Sequence, residues 1–213
     1  MRHLSTLNLA QRVSLLFAAL SVAAIVGTAL APALGREKSN ATESPSTKPP
    51  VPTPAAALDS LFQRLAHAAD PGEAQGITSA IERLWLRSGS DTADMLMGRV
   101  LIAMQANDHG LALQLLDSLI ALEPDWAEAW NKRATVRFLE HDDAGSMNDI
   151  SHVLTLEPRH YGALAGMGFI LHRNHLDKRA LQTYRRLLEV NPQQSEIRKT
   201  VDKLTLDVEG REL

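Results

Sequence analysis

Leu122-Glu123-Pro124, Leu156-Glu157-Pro158 and Val190-Asn191-Pro192 are three settings of one phrase, and their prolines stand 34 residues apart. Each phrase closes an amphipathic run. A proline there ends a helix cleanly, because it lacks an N–H and its ring clashes with the preceding turn. The spacing sets three units, 93–126, 127–160 and 161–194. Their fourth position holds Leu96, Trp130 and Leu164, large each time, and their eighth holds Val100, Ala134 and Gly168, small or modest. The twentieth holds Ala112, Ser146 and Ala180, always small. The twenty-fourth holds Leu116, Ile150 and Tyr184, always large, and the twenty-seventh Leu119, Val153 and Leu187. This pattern predicts two antiparallel helices per unit. Large residues at four and twenty-four fill the space between them, and small residues at eight and twenty let the backbones approach.

Turn signals separate the two helices of each unit: Asn107-Asp108-His109-Gly110, His141-Asp142-Asp143 and Asn174-His175-Leu176-Asp177. Asp and Asn there can cap the second helix by accepting its free N–H groups, and Asp125 is expected to cap a helix starting at Trp126. Upstream, residues 57–90 read as a worn fourth unit. Leu58, Leu61, Phe62 and Leu65 form one stripe, Asp70-Pro71-Gly72-Glu73 is a helix start, and Ile77, Ile81, Leu84 and Trp85 carry a second helix. Downstream, Ile197, Val201, Leu204 and Val208 recur at helical spacing among charged residues, as in the solvating cap helix that a repeat array needs at its end, 195–209. The fold class expected is all-α: about nine helices in a right-handed superhelical solenoid of antiparallel pairs, without a sheet.

These units resemble tetratricopeptide repeats (TPR), with the family's small–large pattern and terminal proline. The resemblance covers residues 93–192, with a departure at Arg99, Arg133 and Met167, where the family has leucine, and at Val100, where it has glycine. It implies that the first helix of each unit lines a concave groove. Positions two, five, nine, twelve and thirteen would then point inward: Asp94, Met97, Leu101, Met104 and Gln105; Glu128, Asn131, Thr135, Phe138 and Leu139; Gly162, Ala165, Phe169, His172 and Arg173. The candidate partner-binding residues are therefore Met97, Leu101, Met104, Asn131, Thr135, Phe138, Phe169 and His172. A soft, methionine-bearing groove suits a peptide or helix with apolar anchors, and the resemblance gives Asn131 the role of hydrogen-bonding a peptide backbone. The family's basic clamp for C-terminal carboxylates is not present. The competing reading is that these side chains are core, covered by neighbouring helices or by helix 57–69 folding inward. Gly162 and Ala165 leave the third unit's wall shallow, with room for a partner side chain.

Composition narrows the chemistry. The chain has 213 residues, 45% hydrophobic, with no cysteine, so disulfides, thiolate metal sites and thiol nucleophiles are excluded. Aromatics make up 4% and the formal charge is −3, which is no footprint for nucleic acid. There is no glycine-rich phosphate loop, no G-x-S-x-G and no H-E-x-x-H. His172, His175 and Asp177 offer two or three metal ligands where a structural site needs four, so a solvated turn is the favoured reading. Arg99 and Arg133 repeat in space. They either clamp an anion or, as favoured here, pair with acids such as Glu128 or lie over helix surfaces. No catalytic residue, metal or cofactor is assigned.

The first 56 residues read as address and tether. Arg2 and Arg12 precede an uncharged run of 23 residues, 13–35, rich in Ala, Leu and Val. That is either a secretory signal, with Ala31-Pro32-Ala33 as cleavage site, or an uncleaved anchor, since about 20 apolar residues span a bilayer. Residues 36–56 hold five of the ten prolines among Ser, Thr and charges, the composition of a flexible spacer. The expectation is an exported, periplasmic, non-catalytic scaffold of the bacterial cell envelope. It would be soluble after cleavage or anchored to the inner membrane, and would bind a protein or peptide, not nucleic acid. The alternative is an accessory domain binding a small ligand or metal through its histidines.

Overall fold

A computed structural model describes residues 53–210, and over these the chain is helical without strands. Nine helices are seen among the described residues: α1 (Pro54–Ala66), α2 (Pro71–Trp85), α3 (Asp91–Gln105), α4 (His109–Leu122), α5 (Ala127–Leu139), α6 (Asp143–Leu156), α7 (Tyr161–Arg173), α8 (Asp177–Val190) and α9 (Ser195–Val208). The chain is thus an all-α solenoid of helix pairs. None of these helices is long and apolar enough to cross a membrane. The apolar run 13–35 and most of the spacer lie outside the described residues. The last spacer residues are helical instead of extended. Thr53 accepts from the Ala56 N–H, Pro54 sits at the first helical position and alanines follow, which is a complete start signal.

The 34-residue period is a property of the backbone as well as of the sequence. The inner helices end at Gln105, Leu139 and Arg173, and the outer helices run from His109, Asp143 and Asp177 to Leu122, Leu156 and Val190. Each inner helix closes on a residue in the left-handed region: Asn107, His141 and His175, with φ of 56°, 63° and 58°. The N–H of the following residue reaches back to Ala103, Arg137 and Leu171 carbonyls at 2.8–2.9 Å, and the left-handed residue's own N–H to Met104, Phe138 and His172. These are paired Schellman closures, which satisfy carbonyls left free at the helix end.

Capping follows expectation at Asp70, Ser90, Asp108 and Asp142, whose side chains accept from the first turns of α2, α3, α4 and α6. It departs from it at two places. Asp125 does not cap α5; Trp126 occupies that position without a side-chain cap, because its indole N–H is drawn inward to the Trp85 carbonyl at 2.7 Å. In the third unit the position equivalent to Asp108 and Asp142 is Leu176, so α8 has no side-chain cap, and Asp177 pairs with His172.

Helices α4 to α9 pack each on the one before, and the inner helices α5 and α7 also touch. The small–large rule is seen directly. Ala112, Ser146 and Ala180 are buried, and the Ser146 hydroxyl donates to the Ala134 carbonyl across the gap at 2.9 Å. The first hairpin behaves differently. Helices α1 and α2 pack on each other, but α1 reaches across to α8 and the hairpin's apolar stripe shares a core with α7, α8 and α9: Phe62, Leu65, Ile77, Ile81 and Trp85 with Tyr161, Leu164, Tyr184 and Leu204. Polar ties reinforce this. Gln193 donates to the Ala68 carbonyl at 2.8 Å, and Arg159 bonds Asp59 at 2.8 Å while its guanidinium lies over the Phe62 ring. Burying each large apolar side chain is worth roughly 1.5–3 kcal/mol, so the hairpin is docked across the array's inner side.

Candidate functional site

The first helices of the three units are α3, α5 and α7, and α2 lies against the N-terminal ends of α5 and α7. The eight candidate residues separate into four groups. Met97 is 2% exposed and belongs to the core between α3 and α4, while Leu101 and Met104 further along α3 are half-buried. Phe138 and Phe169 are brought together edge to face at 5.3 Å, both buried, with the Arg173 guanidinium over the two rings at 4.7 and 5.8 Å. His172 is half-exposed and its ring bonds Asp177 at 2.7 Å. Asn131 and Thr135 stack along α5, the Thr135 hydroxyl donating to the Asn131 carbonyl at 2.9 Å. The helix that lies beside Asn131 is α2, not helix 57–69 as weighed above, which packs on α2 and α8.

Around Asn131 lies a cleft of about 260 Å³, walled by Thr78, Glu82 and Trp85 of α2, Glu128 and Lys132 of α5, and His160, Tyr161, Gly162 and Ala165 at the head of α7. Its polar framework is ordered by one carboxylate. Glu128 is 5% exposed; one oxygen takes the Lys132 ammonium at 2.7 Å and the other takes His160 Nε2 at 3.0 Å and Asn131 Nδ2 at 3.1 Å. His160 Nδ1 accepts the Ala163 N–H at 3.2 Å, capping α7, so the ring proton sits on Nε2 and donates to Glu128. Burial alone would push the Glu128 carboxyl up. The Lys132 charge and the His160 hydrogen bond overcome it and hold the group at about 2. The His160 ring stacks on Trp85 at 4.0 Å, and Tyr161 tilts against the same indole at 5.1 Å. The Tyr161 hydroxyl donates to Glu82 Oε1 at 3.2 Å and to the Thr78 carbonyl at 3.3 Å. Burial raises Glu82 above the usual carboxylate range, against the opposing pull of the Tyr161 hydrogen bond and the Lys132 charge.

Sequence reasoning did not find this cleft. The Glu128–Lys132 pair at i, i+4 was a visible signal for a helix-face ion pair; the approach of Glu82 and Trp85 from a hairpin about forty residues upstream had no local mark. Of the two arginines weighed above, Arg133 settles into ion pairs, with acids other than Glu128. Arg133 holds the fully buried Asp149 through Nε and Nη2 at 3.0 and 2.9 Å and reaches Asp117 at 2.7 Å, and Arg137 adds a contact to Asp149 at 3.0 Å. Among the described residues no three His, Asp or Glu side chains converge to hold a metal.

Stacked helical hairpins define the class of solenoid repeat proteins, which use extended concave surfaces for binding. Comparison with known proteins specifies the class. The chain is 37% identical over 199 residues to a TPR repeat-containing protein of Rhizobium etli, a match covering 91% of this chain and 93% of that protein. It is 36% identical over 72 residues to tetratricopeptide repeat protein 36 of Bos taurus, covering 34% of this chain and 38% of that protein. No protein-family profile matches. The chain belongs to the TPR family, whose members are generally non-catalytic scaffolds for protein–protein contacts.

Proposed function

We propose that this chain is a non-catalytic scaffold of the bacterial cell envelope that holds a protein or peptide segment on the inner curve formed by α3, α5 and α7. The observation that carries the reading is the unequal finish of that curve. Met97, Phe138 and Phe169 are sealed into the core, while Leu101, Met104 and Leu139 remain half-exposed on α3 and α5, and α5 also lines the cleft around Asn131. Half-exposed apolar side chains together with a polar cavity suit an extended segment with apolar anchors. The envelope placement rests on Arg2, Arg12 and the apolar run 13–35, and on the bacterial source of the relative that matches nearly end to end.

Site-specific photocrosslinking in cells tests the docking face. A benzophenone side chain at Leu101 or Met104 is expected to give discrete adducts, and one at the exposed Gln182 on outer helix α8 none. Adducts from Gln182 alone, or from no position, overturn the docking face. Fractionation with N-terminal sequencing tests the placement: an envelope-bound chain, either intact or beginning after residue 33, is expected, and a chain confined to the cytoplasm refutes that part.

A further inference from the structure

An inventory of the cleft's hydrogen-bonding groups leaves three unspent. Both oxygens of Glu128 and both ring nitrogens of His160 are used. Asn131 spends its amide nitrogen on Glu128, but its oxygen is buried without a partner, in a residue 6% exposed. The Trp85 indole N–H is likewise buried without an acceptor. Glu82 has one hydrogen bond, to Tyr161, and no ion-pair partner among the described residues. Glu82, Trp85 and Asn131 are all among the residues that line one cavity. They amount to two acceptors, one of them charged, and one donor. The cavity's formal charges, two carboxylates against the Lys132 ammonium, leave one negative charge unbalanced.

The complementary ligand carries one positive charge, several N–H donors and, close by, one acceptor. A C-terminal carboxylate adds a second uncompensated negative charge and leaves the Asn131 oxygen unpaired. A lysine side chain brings donors but nothing for the indole. A bridging water leaves the charge where it is. The first residue of a peptide supplies all three requirements at once: an α-ammonium group with three N–H bonds and a carbonyl oxygen three bonds away.

We propose that this cleft receives the free N-terminus of a partner peptide, with its α-ammonium held by Glu82 and the Asn131 side-chain oxygen and its first carbonyl accepting the Trp85 indole N–H. Gly162 and Ala165, both small and half-buried on the cleft wall, leave space for the first side chain. The inference rests on the reading of the inner curve as a docking face and names the chemical group recognised there. Unpaired buried polar groups are costly, so the free cleft discriminates: a ligand that leaves any of the three unmatched gains little by entering.

The test uses the full chain, ¹⁵N-labelled, with the Trp85 indole resonance assigned through Trp85→Phe. Alaninamide, which has both the ammonium and the carbonyl, is titrated beside N-acetylalaninamide, which lacks the ammonium, and propylamine, which lacks the carbonyl. Alaninamide is expected to shift the Trp85 indole signal saturably and to bind at least about tenfold more tightly than either control. Glu82→Gln keeps the Tyr161 hydrogen bond, leaves the remaining amide spectrum in place and is expected to weaken alaninamide binding by about tenfold. Equal binding of the acetylated compound, an unaffected Glu82→Gln variant, or no saturable shift with alaninamide each overturns the proposal. The crosslinking result separates the two readings. Adducts at Leu101 and Met104 with a partner whose N-terminus is blocked keep the docking face and sink the N-terminal pocket; alaninamide binding without such adducts does the reverse.

Discussion

Gly168 sits in the interior of α7, where replacement of glycine by alanine ordinarily stabilises a helix by about 1 kcal/mol. Here the sign is expected to reverse. A Cβ at Gly168 would stand 2.4, 2.7 and 2.8 Å from three carbons of the Tyr184 ring on α8, against an ordinary carbon–carbon separation of about 3.5–4.0 Å. Tyr184 is 3% exposed and cannot swing into solvent, so α7 or the ring must shift by about 1 Å. Overpacking of that kind costs typically 1–3 kcal/mol. Gly168→Ala is therefore expected to destabilise the chain by up to about 2 kcal/mol net, once the helix-propensity gain is subtracted. The other units supply the remedy. The same two positions hold Val100 with Leu116 and Ala134 with Ile150, so the small member grows as the large one shrinks. Gly168→Ala combined with Tyr184→Ile recreates the second unit's pair and should be more stable than the sum of the single changes, by about 1–2 kcal/mol of coupling. Urea unfolding of all four chains, followed by far-UV circular dichroism, measures this. A Gly168→Ala chain as stable as its parent, or strictly additive changes, refutes the account of how the hairpins close.

Two further outcomes follow from the geometry. Glu128 is held at about 2 against its ordinary 4.5, so its contribution to stability is complete above about 4.5 and is lost as the pH falls towards 2. Glu128→Gln should therefore be clearly less stable than the parent at neutral pH, with the gap narrowing across that acid range; urea unfolding at stepped pH showing a constant or widening gap contradicts it. At His175, exposed and at φ 58°, His175→Gly should raise stability by about 1 kcal/mol by removing the Cβ from a left-handed position, while His175→Ala should not; equal behaviour of the two in the same assay contradicts the assignment of strain there.

How much of this was legible follows from how far apart the interacting residues lie. The prolines at 124, 158 and 192 mark the ends of outer helices because a proline's effect is local. The asparagine- and histidine-bearing turns at 107, 141 and 175 punctuate the inner helices for the same reason, and the alternation of Ala180 with Tyr184 reads as a close helix crossing within a single unit. Where a neighbour from elsewhere intervened, the reading slipped. Asp125 looked like a cap, but Trp126 took its place to reach a carbonyl forty-one residues upstream. Asn131 was singled out through the family resemblance; that Glu82 and Trp85 would line a cleft with it was not legible.

The sequence alone therefore determined the repeat length, the ends of the outer helices and the residues that close each hairpin, because each depends on contacts within some thirty residues and recurs three times. Only the tertiary structure decided where the first hairpin goes. The stripe Ile77, Ile81 and Trp85 has the same periodicity whether it stacks on α3 as another unit or lies across the inner curve, since an amphipathic face records that it must be buried and not what buries it. Its placement against Tyr161 and His160 is what turned an open concave surface into a cleft with three unspent polar groups.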